Sequence, residues 1–72
     1  MKKVIYKVNY LYCGGHLAMS SQFDTYSEAK ANFEEVKKDA DNTDISIIEY
    51  VLEKKFFKTT IKSITEIEYC EN

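Results

Sequence analysis

Cys13 and His16, separated by Gly14-Gly15, are the side chains of this sequence best placed by type and spacing to do chemistry. A thiolate and an imidazole at that interval can ligate zinc, and Cys70 and Asp44 would complete a tetrahedron if the fold brought them alongside. Zinc sites of this kind ordinarily draw on two close pairs, and here there is one. Cys13, His16 and Cys70 are therefore read as two free thiols and a turn histidine, with no metal and no cofactor expected. Used as nucleophile and base, Cys13 and His16 would need a third orienting group, an oxyanion hole and a cleft that excludes water. A chain of 72 residues has little volume for such a cleft, so no catalytic residue is assigned and the chain is expected not to be an enzyme.

The second group with chemical potential is the lysines. All ten basic residues are Lys, and the formal charge is −2. Without arginine the chain lacks the planar fork that grips phosphate and guanine in two places at once, which weighs against sequence-specific DNA reading. Lys2, Lys3, Lys54 and Lys55 are nevertheless expected to gather at one end, as a contact for nucleic acid or another anion.

These residues must be positioned by a few elements. Residues 3 to 12 alternate, with Val4, Tyr6, Val8, Tyr10 and Tyr12 on one face and Lys3, Ile5, Lys7, Asn9 and Leu11 on the other. Gly14-Gly15 can take positive φ in a tight connection, and Leu17, Met19, Ser21 and Phe23 then resume period two, which makes residues 3 to 23 a hairpin. Thr25 to Glu28 reads as a capping box, with Glu28 reaching back to the Thr25 amide. From there Tyr26, Ala29, Phe33, Val36 and Ala40 form one apolar helical stripe.

Residues 45 to 53 are β-branched and apolar on both phases, so charge must choose the face. Ser46, Ile48, Tyr50 and Leu52 inward leaves Glu49 and Glu53 in water; the opposite phase would bury two carboxylates with no arginine to pair them. After Lys54-Lys55 a fourth strand runs from Phe56 to about Ile67, with Phe57, Thr59 and Ile61 inward. The last residues, ending Glu71-Asn72, are expected to fray.

The result is one α+β domain over residues 1–72, ββαββ, with a four-stranded antiparallel sheet in the order 2-1-3-4 and one helix on one face. A crossover helix makes the third strand parallel to the second, and slipping the first strand between them keeps every pair antiparallel. The expected register sets Lys3 opposite Glu53 and Lys7 opposite Glu49, with Tyr6 facing Tyr50 and Val8 facing Ile48.

That arrangement leaves Ile5, Leu11, Ile45, Ile47, Val51 and Phe56 on an outer face with no second helix to cover them. An apolar sheet face rimmed by charge suits a protein partner, either a larger host protein or a second copy of the chain. Ile5, Lys7, Leu11, Ile47, Glu49, Val51, Phe56, Lys58 and Lys62 are accordingly the expected partner-binding residues. Neither a span of about 18 apolar residues nor a cleavable leader is legible, so no membrane is expected and the compartment is expected to be the cytoplasm. The Lys-, Ile-, Asn- and Tyr-rich composition looks like that of small proteins of phages and mobile elements in AT-rich bacteria. Many of those bind and block a host protein, sometimes a defence system. The resemblance implies a stoichiometric inhibitor or accessory factor. The alternatives from other classes are a nucleic-acid-associated protein using the lysine cluster and a homodimeric structural protein.

Overall fold

The computed structural model describes residues 1–71. The chain runs β1 (Lys2–Tyr12), β2 (Leu17–Phe23), α1 (Tyr26–Lys37), β3 (Thr43–Lys55) and β4 (Lys58–Cys70). All strand pairs are antiparallel, and the sheet order is β2-β1-β3-β4. This is the expected ββαββ fold, with a longer third strand and a fourth that starts at Lys58 rather than Phe56, leaving Phe57 exposed in the turn rather than inward, and runs on to Cys70.

The first turn uses its glycines as expected. Cys13, Gly14 and Gly15 all have positive φ, and the His16 amide closes onto the Tyr12 carbonyl at 3.1 Å. Thr25 caps α1: its hydroxyl accepts from the Glu28 amide at 3.2 Å and donates to the Glu28 carboxylate at 2.9 Å. Glu28 thus reaches the Thr25 hydroxyl rather than the Thr25 amide. The helix stops at Lys37, short of Ala40, which lies exposed in the following loop. Local bonds there compete with another turn of helix: Asp39 accepts from the Asp41 amide at 2.9 Å. The buried Asn42 side chain also donates to the Val36 carbonyl at 3.0 Å, which the Asp39 amide reaches as well at 3.3 Å, so side chain and backbone together close the helix end.

The core is small and lies at one end of the sheet. Ala29, Phe33 and Val36 of α1 pack on Val8, Ile45 and Ile47, flanked by Tyr6, Tyr10, Phe23 and Cys70. The phase of β1 is as expected, whereas that of β3 is reversed. Ile45 and Ile47 face the helix, and Ser46, Ile48, Tyr50 and Leu52 face away. The register differs by one residue: Val8 lies opposite Ile47, Tyr6 opposite Glu49, Lys3 opposite Leu52 and Lys2 opposite Glu53.

The reason is a mismatch of lengths. A helix of 12 residues spans about 18 Å at 1.5 Å per residue, whereas 13 residues of β3 span about 43 Å at 3.3 Å per residue. Glu49 and Glu53 are therefore on the helix side but outside the core cluster packed on α1, and both are half-buried. Partial burial, and then the neighbouring Glu49 carboxylate, raise the Tyr6 phenol above its ordinary value. Charge selects a face only where that face is fully covered, and a 12-residue helix cannot cover a 13-residue strand.

The first half of β4 is likewise reversed. Thr60 pairs with Glu53 on the helix side, and Ile61 pairs with Leu52 on the outer side. Bulges then add Lys62 and Ile67 to β4 relative to β3. At the chain's far end the Glu71 carbonyl accepts from the Asp44 amide at 3.3 Å, so the strand is tied through residue 71. The expected fraying of Asn72 falls outside the described residues.

Candidate protein-docking face

The outer face is built by the odd-numbered residues of β1 and the even-numbered residues of β3. Ile5 lies opposite Tyr50, which lies opposite Ile64; Lys7 lies opposite Ile48; Leu52 lies opposite Ile61. Ile48, Tyr50 and Leu52 are half-buried by their neighbours within the sheet, and Ile61 and Ile64 are 54% and 59% exposed. Among the described elements none packs over this surface, since α1 lies on the opposite face. Ile5 is buried between its neighbours, and the Lys7 ammonium sits 5.1 Å from the Tyr50 ring centroid, a cation–π contact at the edge of the patch.

Of the expected partner-binding residues, Ile5, Lys7 and Leu11 are on this face. Ile47 is not: it is fully buried beneath α1. Glu49 and Val51 lie on the helix side, for the reason given above. Phe56 is at the tip of the β3–β4 hairpin, Lys58 pairs with Lys55 beside that turn, and Lys62 occupies a bulge. Ile48, Tyr50, Leu52 and Ile61 were expected inward, and Ile64 was not singled out; all five lie on the outer face. The signal that would have found them is the length of the third and fourth strands, which run far beyond any helix of the size predicted.

The hairpin tip is a second exposed feature. Lys55 and Lys58 flank a two-residue turn of Phe56 and Phe57, both fully exposed, with Phe56 at φ 52°. Two-residue hairpins favour Asn or Gly at positive φ, so a phenylalanine there carries backbone strain. Lys2, Lys3, Lys54 and Lys55 gather at this end as expected, because the Lys54 amide donates to the Met1 carbonyl at 2.9 Å. They divide between the two faces, with Lys3 beside Leu52 on the outer side and Lys2 opposite Glu53 on the helix side.

At the opposite end, Cys13 and His16 stand in the exposed first turn, while Cys70 lies opposite Ile45 against the core. Both cysteines are free. Among the described residues no three His, Cys, Asp or Glu side chains come close enough to hold a metal. Asp44 is engaged elsewhere: it accepts from the Tyr69 hydroxyl at 2.5 Å, and that bond, with some burial, pushes the phenol up to about 12. A shallow hollow of about 220 Å³ between β1 and β2, lined by Asn9, Leu11, Ala18, Ser20 and Asp44, is smaller than the usual small-molecule site of roughly 300–1,000 Å³.

Across the sheet, Glu68 ties β4 to the helix. It accepts from the Tyr26 hydroxyl and the Lys30 ammonium, and Lys30 also pairs with Glu34 at 3.2 Å. The Lys30 and Tyr26 bonds hold the Glu68 carboxyl below its ordinary range, and the bond to Glu68 raises Lys30. This cluster fixes the helix end and leaves the outer face untouched.

No protein-family model, curated protein or solved structure matches the chain. No helix among the described residues is long and apolar enough to cross a membrane.

Proposed function

We propose that the chain is a non-catalytic protein-binding module that docks on a larger protein through the outer face of its sheet, centred on Ile48, Tyr50, Leu52, Ile61 and Ile64. One observation carries this reading: a contiguous row of large apolar side chains across β3 and β4 on which none of the described elements packs. Apolar surface of this kind ordinarily marks an interaction site, and an aromatic residue at its centre with charge at its rim matches the anatomy of a protein interface. Such a module acts by occupying its partner, as an inhibitor or accessory factor does, and the phage-like composition favours a host protein as the target. The free thiols suit the reducing cytoplasm.

The test is affinity capture with tagged wild type and a Leu52→Lys variant, in high salt after nuclease treatment. A charge at the centre of a desolvated patch costs roughly 2 kcal/mol or more, so recovery of the partner should fall at least about tenfold. Equal recovery by a folded Leu52→Lys variant would remove the outer face as the docking surface.

A second reading has its own support. Phe56 and Phe57 stand bare beside Lys54, Lys55 and Lys58, and exposed aromatics among basic residues stack on single-stranded bases. That reading expects nucleic acid to be recovered at low salt and lost steeply as salt rises.

A further inference from the structure

β4 is an edge strand of 13 residues whose outward backbone groups have no neighbouring strand. Long edges of this sort invite pairing, and exposed apolar residues along them sharpen the hazard. Here Ile61, Ile64 and Ile67 are 54%, 59% and 36% exposed.

The order of charges along β4 says what the edge fits. Lys58 and Lys62 lie in its first half and Glu66 and Glu68 in its second, a polarity that an antiparallel copy of the same strand would complement. We infer that β4 pairs with β4 of a second copy of this chain about a two-fold axis through Ile64. In that register Lys62 stands opposite Glu66 of the second copy, Ile61 opposite its Ile67 and Ile64 opposite its Ile64. Sliding by one residue sets Ile64 against Ser63 or Thr65 and separates Lys62 from Glu66, so one register combines the apolar and the charged pairings.

Neither Lys62 nor Glu66 forms an ion pair among the described residues of one chain. Glu68, in contrast, is already held by Lys30 and Tyr26. A lysine on an edge strand ordinarily blocks pairing; Lys62 blocks other strands and admits its own copy, because the symmetry brings it a carboxylate. The axis stands perpendicular to the sheet, so two four-stranded sheets join into one of eight strands, with both helices on one side and both outer faces merged on the other.

The purified chain, without any partner, tests this by sedimentation equilibrium from about 1 µM to about 1 mM, with circular dichroism to confirm folding. Wild type should be a dimer in this range. Lys62→Glu and Glu66→Lys, each of which makes both charge pairs repulsive, should each raise the dissociation constant at least tenfold. Mixing the two variants restores both pairs in a heterodimer, as does combining the substitutions in one chain, so either should return the affinity to near the wild-type value. A monomeric wild type throughout the range would overturn the inference, as would a dimer indifferent to both substitutions or a mixture that stays monomeric. Any of these results leaves the docking face to be judged by Leu52→Lys capture, so the two claims fail separately.

Discussion

Phe56 shows how much a single residue can disclose. A phenylalanine at φ 52° in a two-residue turn is strained, and it is fully exposed, so it gains nothing from packing within the chain. Phe56→Gly should raise stability by about 0.5–1 kcal/mol, read from the denaturation midpoint, because release of the strain outweighs the added freedom of the unfolded chain. A drop in stability would mean that the ring has a packing role. Glu68 carries a pH dependence of definite sign. Its folded pKa is below its ordinary 4.5, so its contribution is complete above that value and lost as pH falls through the depressed one. Lys30 is raised above 10.5, so its share is present below that value and lost as pH rises past the raised one. Thermal stability of the wild type should therefore fall below about pH 4.5, and Glu68→Gln should flatten that part of the profile; an unchanged profile would remove the cluster's role in docking the helix.

At the scale of elements, local signals were easy to read and coverage was not. The Gly14-Gly15 turn, the Thr25 cap and the Ala29-Phe33-Val36 stripe each follow from chemistry within a few residues, and the strand order follows from keeping every pair antiparallel across a crossover helix. The face of β3 depends on how far a separate helix reaches. With apolar residues on both phases, Ile45 and Ile47 could not be told from Ile48 by pattern, and two glutamates pointed the wrong way because they lie beyond the helix. The fourth strand was missed in phase for a related reason: the Lys55-Phe56-Phe57-Lys58 turn has no Gly, Asn or Asp to announce it. The reversed phase makes a sharp prediction. Ile47→Glu should abolish cooperative unfolding, since it puts an unpaired carboxylate against Phe33 and Val36. Ile48→Glu, one residue along, should stay folded with a loss of no more than about 1 kcal/mol. Equal damage from both would show that the outer face is covered.

On the scale of the whole molecule, the chain measures 43 × 24 × 15 Å, elongated because one short helix serves four strands of which three run well past it. Covering one face at one end supplies the core, and the rest of the sheet is left as surface. That division explains why Lys2, Lys3, Lys54 and Lys55, the phenylalanine turn and the apolar outer row lie away from the core packed on α1. It also explains how much of the site was legible. Ile5 and Lys7 were found from the alternation of the first strand, while Tyr50, Leu52 and Ile64 depended on weighing the length of the third and fourth strands against the reach of the helix. The most direct measurement is an isoleucine-methyl NMR titration with the protein recovered by capture. Ile48 and Ile64 on the outer face should shift or broaden at one equivalent, while Ile45 and Ile47 beneath the helix stay in place. Saturated binding that leaves Ile48 and Ile64 unperturbed would contradict the outer sheet face as the docking surface.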